Sequence, residues 1–65
     1  MQVELNGKPT ETNASTLAEL IEVEGFEAPC VATAVDGVFV PKATRDTVTL
    51  TEGIRVEVLS PMQGG

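Results

Sequence analysis

Apolar and polar residues alternate over Met1–Leu5, a pattern that is typical of a strand with one buried face. Asn6-Gly7 follows and is the strongest short signal for a hairpin turn. The chain then returns as a second strand over Lys8–Thr12. Because Pro9 has no N–H to donate to a neighbour, this second strand is predicted at an edge of the sheet.

A short helix is predicted from about Leu17 to Glu24, because apolar residues recur there at helical spacing. Thr16 and Glu19 have the spacing of a capping box, in which each side chain accepts a hydrogen bond from the other residue's backbone N–H. Gly25 is suited to the left-handed conformation that ends many helices, and Phe26 can pack back on the helix. The apolar stripe comprises Leu17, Leu20, Ile21 and, at its margin, Val23.

Two apolar runs rich in β-branched residues, Cys30–Val35 and Val38–Val40, predict a second hairpin around Asp36-Gly37. A two-residue turn would place the valines that flank it opposite each other. A three-residue turn with a glycine bulge would shift this pairing and move Phe39 to a different partner. The sequence leaves the two registers open.

Pro41 ends this strand, and a polar crossover follows in which Val48 and Leu50 are predicted to point inward. Gly53 then turns the chain into a last strand over Ile54–Leu59. The alternation in this strand separates two sets of side chains, with Val56 and Val58 on one face and Arg55, Glu57 and Leu59 on the other.

The order of hairpin, helix, hairpin, crossover and final strand predicts one α+β domain over residues 1–60. The helix has to bury its stripe against the sheet, and the first and last strands can then lie side by side in its middle. This arrangement is the β-grasp, or ubiquitin-like, fold, a mixed sheet of four to five strands with one main helix on one face. The predicted core consists of Val3, Leu5, Leu17, Leu20, Ile21, Val56 and Val58.

The net charge of −6, from ten acidic and four basic residues, argues against nucleic acid as a partner, because phosphate binding needs clustered Lys and Arg. One cysteine cannot form an internal disulfide. The start of the chain lacks the pattern of a signal peptide, and no apolar run is long enough to span a membrane. We therefore expect a cytoplasmic protein that is a monomer when free and has no membrane partner.

The chain contains no His, which excludes a Ser/His/Asp triad and a structural zinc site, and it has no Gly-rich phosphate loop. No catalytic residue and no metal site are predicted. Cys30 has no basic neighbour in sequence that would activate its thiol, so it is predicted to act as a small apolar residue at the start of a strand.

Residues 61–65 are predicted to form a flexible C-terminal tail that ends in Gly64-Gly65. Glycine lacks a Cβ, so these residues can thread a narrow channel, and Ser60–Gly65 can span about 20 Å. The Gly65 carboxylate is ionised at neutral pH and has to be activated before it can carry a group. The alternative is an inert end that frays.

The segments "MQVELNGK", "STLAELIE", "VDGVFVPK", "LTEGIRVEVL" and "PMQGG" together resemble the ThiS family, the sulfur carriers of thiamine biosynthesis. The resemblance covers essentially the whole chain. Ile54 departs from it, since relatives usually carry a polar residue after the turn glycine, and this difference affects a turn rather than the tail.

The resemblance implies that a ThiF-type adenylating enzyme uses ATP and Mg to form an adenylate on Gly65. Sulfur that a cysteine desulfurase takes from cysteine then gives a thiocarboxylate, and a ThiG-type thiazole synthase accepts this sulfur. The chain would be a carrier rather than an enzyme, with no permanently bound cofactor. Residues implied to thread the tail into the partner are Pro61, Met62, Gln63 and Gly64.

Leu59 is the predicted docking residue, because it is apolar, faces away from the helix and adjoins the tail. Other readings of the Gly-Gly end stay open: a small subunit of molybdopterin synthase, a ubiquitin-like modifier conjugated through Gly65, and a plain binding domain. The sequence leaves open the sulfur donor, and whether a mixed disulfide with the adenylating enzyme forms.

Overall fold

The computed structural model describes residues 1–60 and contains one helix and one five-stranded sheet. The order of strands across the sheet is β2-β1-β5-β3-β4. The elements are β1 (Gln2–Leu5), β2 (Lys8–Glu11), α1 (Leu17–Val23), β3 (Ala32–Val35), β4 (Val38–Val40) and β5 (Arg55–Leu59), with 3₁₀ turns at Ala28–Cys30 and Lys42–Thr47.

Both hairpins close through two-residue turns whose central residues all have positive φ. The angles are 51° and 82° at Asn6 and Gly7, and 49° and 83° at Asp36 and Gly37. Asn, Asp and Gly tolerate this region best, and the resulting twist matches that of the flanking strands. The second turn pairs Val35 with Val38, which settles the register that the sequence left open.

β5 lies in the middle of the sheet, parallel to β1 on one side and antiparallel to β3 on the other. The predicted central position of the first and last strands is therefore confirmed. β2, which contains Pro9, is an edge strand, as its missing N–H requires. The other edge is β4, which ends directly before Pro41.

The helix begins with the predicted capping box. The Glu19 N–H donates to Thr16 Oγ1 at 3.2 Å, and the Thr16 N–H donates to Glu19 Oε1 at 3.3 Å. At the other end Gly25 takes a φ of 84°, and the Phe26 N–H donates to the Ile21 carbonyl, so the phenylalanine folds back onto the core. The capping box and the left-handed glycine thus determine where the helix begins and ends.

All seven predicted core residues are buried, and Ala14, Val40 and Leu50 join them in one cluster between helix and sheet. Val23, placed at the margin of the stripe, is 64% exposed and does not belong to the core. Val48 packs against the cluster from the crossover. Within residues 1–60, no helix has the length and apolar character that crossing a bilayer requires.

Candidate functional site

The last described strand, β5, lies in the centre of the sheet. β5 ends at Leu59, whose partner on β3 is Ala32, and Ser60 is the last described residue. The predicted site residues Pro61, Met62, Gln63, Gly64 and Gly65 lie outside the described residues. Their roles therefore stay predictions, and the structure describes the surface around Leu59 and Ser60, which precede them in the sequence.

An apolar area covers the part of the outer sheet face that is nearest to the tail. Leu59 is 66% exposed and Phe39 is 65% exposed, a large exposure for such side chains. Ala32 lies opposite Leu59, and Ala34 lies opposite Phe39, so all four side chains share the face that the helix does not cover. We call these four residues the outer patch.

Phe39 is the large apolar residue of the outer patch that the sequence did not identify. Its face depends on the turn at Asp36-Gly37, because a shift of one residue would have moved it to the other side of the sheet. The two-residue turn places it opposite Ala34 and outward. The positive φ preference of the Asp-Gly pair is the signal from which this register could have been inferred.

Apart from Pro9, which lies opposite Glu4, the remainder of the outer face is polar. Glu57 of β5 lies next to Ala34, which has Phe39 of β4 on its other side. Arg55 Nε lies 3.8 Å from Glu4 Oε2. Both side chains of this ion pair are well exposed, so it contributes little to stability. The outer face thus has a charged half beside the start of β5 and an apolar half beside its end.

A shallow groove lies next to the point where the tail begins, between the 3₁₀ turn and the end of β5. Pro29, Cys30 and Ala32 line one side, and Leu59 and Ser60 line the other. The prediction for Cys30 was wrong in position, since β3 begins at Ala32 and the exposed thiol lies in the 3₁₀ turn. The turn forms because Pro29 fixes a φ that suits its first residues.

Arg45 holds this turn in place from inside the protein. Its side chain is 4% exposed, and its Nη1 and Nη2 donate to the carbonyls of Ala28 at 2.9 Å and Val31 at 2.6 Å. Nε donates to Thr33 Oγ1 at 3.1 Å. These three hydrogen bonds, all to neutral oxygens, satisfy the buried guanidinium. Without them, burial of this charged group would lower the stability of the fold.

An acidic groove lies between α1 and β2, the edge strand that is remote from β4. Glu11, Glu19, Glu22 and Glu24 line it together with Val23. Over residues 1–60 the His, Cys, Asp and Glu side chains form no group of three or more that could hold a metal ion. Four of the ten acidic residues of the chain therefore line this groove, while Glu57 lies beside the outer patch.

A match to a family model over nearly the whole chain identifies the family to which the protein belongs. The ThiS family model matches residues 2–65, which include the predicted tail. The chain belongs to the ThiS family. Among curated protein sequences, none gives a significant match.

Solved structures agree with this membership. A crystal structure of a thiamine biosynthesis protein, ThiS, from Geobacter metallireducens superposes with a TM-score of 0.81 at 29% identity, over 100% of both chains. An NMR solution structure of a thiamine biosynthesis protein from the same organism gives a TM-score of 0.82 at 28% identity, over 100% of this chain and 88% of that one. The ubiquitin-like β-grasp fold is thus confirmed.

Membership of the ThiS family supports the general function that the sequence resemblance implied, sulfur carriage in thiamine biosynthesis. A small carrier that works with partner enzymes needs a reactive group, a docking surface and a rigid body to connect them. The outer patch and the end of β5 are the described residues that suit the last two roles.

Proposed function

We propose that this chain is a sulfur carrier whose Gly65 carboxylate is adenylated by a ThiF-type enzyme with ATP and Mg. The adenylate is then converted to a thiocarboxylate, which gives its sulfur to a ThiG-type thiazole synthase. The observation that carries the proposal is the match of the ThiS family model through residue 65, the glycine of the predicted site. The chain serves as a co-substrate of these enzymes.

The chemistry requires two displacements, the first at the α-phosphorus of ATP and the second at the carboxyl carbon of Gly65. A Gly65 carboxylate oxygen bonds to the α-phosphorus of ATP, and pyrophosphate leaves with the broken P–O bond. Sulfide, the simplest sulfur source, then adds to the acyl carbon, and AMP leaves with the original oxygen and one proton is released. The net change is one oxygen replaced by one sulfur, with no oxidant or reductant consumed.

The outer patch suits the docking step. Its exposed Leu59 and Phe39 flank two small alanines, so the surface between them is low and can accept a protruding apolar side chain of the enzyme. Large apolar anchors of this kind carry much of the energy of typical protein interfaces. Because Leu59 directly precedes Ser60, docking here also brings the start of the tail to the enzyme.

Incubation with the adenylating enzyme, ATP, Mg and sulfide tests the proposal. The chain should gain the mass difference between sulfur and oxygen, and fragmentation should locate this gain on Gly65. An unchanged Gly65 in a chain that the enzyme does adenylate would contradict the carrier function. An amide bond between Gly65 and lysines of other proteins, formed without the mass gain, would indicate a protein modifier instead.

Leu59→Glu should raise the KM for this chain in adenylation at least about tenfold and leave kcat nearly unchanged, because a charge replaces an apolar anchor at the interface. Initial rates of pyrophosphate release at varied chain concentration measure this effect. Val23→Glu is the matched control, since it adds the same charge at an equally exposed residue beside the acidic groove. Equal KM values for the two variants would place the interface elsewhere.

A further inference from the structure

The side chain of Asn6 completes the hydrogen bonding of β5 close to the tail. Asn6 Nδ2 donates to the Val58 carbonyl at 3.1 Å, and the Val58 N–H donates to Asn6 Oδ1 at 2.8 Å. A primary amide offers the same donor and acceptor as a peptide group. One side chain therefore satisfies both backbone groups of Val58 that point towards β1.

These two hydrogen bonds replace a pair of backbone hydrogen bonds that β1 cannot supply. The Glu4 N–H donates to the Ile54 carbonyl and the Asn6 N–H donates to the Val56 carbonyl, both at 2.9 Å. The next backbone hydrogen bonds between the two strands would involve Val58. At Asn6, however, the chain enters the turn with a φ of 51° and leaves the sheet. Without the amide, Val58 would carry unpaired backbone groups in a partly shielded position.

The position of Val58 connects this contact with the tail. Val58 is buried, lies next to Leu59 of the outer patch and is two residues before Ser60. β3 holds the other edge of the strand through the pair of Ala32 and Leu59. The end of β5 is thus fixed from both sides, and the Asn6 side of it depends on a single side chain.

We propose that Asn6 is a positioning residue for the carrier reaction. Through Val58 it fixes the direction in which the chain leaves the sheet, and so it limits the space that the Gly65 carboxylate explores once the outer patch has docked. This inference rests on the proposed function. It assigns to Asn6 a role that the Asn-Gly turn alone does not require, because glycine takes the same left-handed φ without an amide.

Asn6→Gly separates the two roles, since it keeps the turn and removes both bonds to Val58. Asp36→Gly is the matched control. Asp36 occupies the same place in the other hairpin, with a φ of 49°, and its Oδ1 accepts a bond from the Arg55 N–H at 3.2 Å. The control therefore removes a side-chain contact at the start of β5, at the end of the strand remote from the tail.

Asn6→Gly should lower the kcat of adenylation between about tenfold and a hundredfold while the KM for the chain stays within about twofold, because the outer patch is unchanged and only the delivery of the carboxylate suffers. In the isolated chain, exchange of the Val58 amide hydrogen should become at least about tenfold faster, beyond any change in global stability. Asp36→Gly should leave both quantities within about twofold.

If Asn6→Gly keeps the wild-type kcat although its Val58 amide hydrogen exchanges faster, the positioning role is wrong and the proposed function stands. An equal loss of kcat in Asp36→Gly would do the same, because the effect would then be general loosening of the sheet. A wild-type chain that the enzyme does not adenylate would remove the proposed function, and the positioning role with it.

Discussion

A chain that lacks Gly65 is expected to be adenylated at least about a hundredfold more slowly than the full chain. Gly64 then bears the carboxylate, about 3.5 Å short of the reacting phosphorus when the body of the protein is docked. A misplacement of about 1 Å is enough to cost a hundredfold in rate. Pyrophosphate release at saturating ATP measures the effect, and the unfolding free energy should be unchanged.

Gly64→Val is the companion variant, because it keeps the carboxylate at its full reach. A β-branched side chain restricts the backbone and widens the segment that we propose enters a narrow channel, so this variant should also be slow. If the deletion variant acquires sulfur as fast as the full chain, Gly65 is not the acceptor.

Leu20→Ala should lower the free energy of unfolding by about 2–5 kcal/mol, the range for removal of a buried leucine side chain. Leu20 is 0% exposed and packs between the helix and the sheet. A domain of this size has a total stability of only about 3–10 kcal/mol, so the variant should be close to unfolding at ordinary temperatures.

Far-UV circular dichroism during urea unfolding is the suitable measurement for Leu20→Ala, because the chain has no Trp or Tyr to report by fluorescence. Val23→Ala is the control in the same helix. Val23 is 64% exposed, and its truncation should change the stability by less than about 0.5 kcal/mol. Similar losses in the two variants would contradict the described burial of the helix.

Most of the fold could be predicted because its determinants are local. The turns at Asn6-Gly7 and Asp36-Gly37, the capping box at Thr16 and the edge position of Pro9 each depend on a few adjacent residues. Alternation along the last strand then identified which side chains are buried. Consistent local preferences of this kind are a property of sequences that fold to one structure.

The features that were missed depend on contacts between distant parts of the chain. Arg45 lies in a polar crossover, and only the placement of the Ala28 and Val31 carbonyls makes its burial favourable. The second role of Asn6 likewise requires Val58, which is 52 positions away in the sequence. No periodicity or turn preference encodes such pairs.

The same distinction between local features and contacts of distant residues holds for the candidate site. Gly64, Gly65 and Leu59 were proposed from residue type and position in the sequence, and their roles stay predictions. The place of Phe39 in the outer patch followed from a register that two turn geometries left open. The thiol of Cys30 came to the surface because a 3₁₀ turn took the place of the expected strand residues.

The parallel pairing of β1 with β5 also determines how the protein responds to mechanical load. A partner that pulls on the tail while the opposite end of the chain is held applies force along the axes of these two strands. In this shear geometry the bonds between β1 and β5 resist together, rather than opening one after another as in a peeled hairpin. Under such a load the two strands are therefore expected to stay paired up to a higher force than the strands of a hairpin that is peeled open from one end.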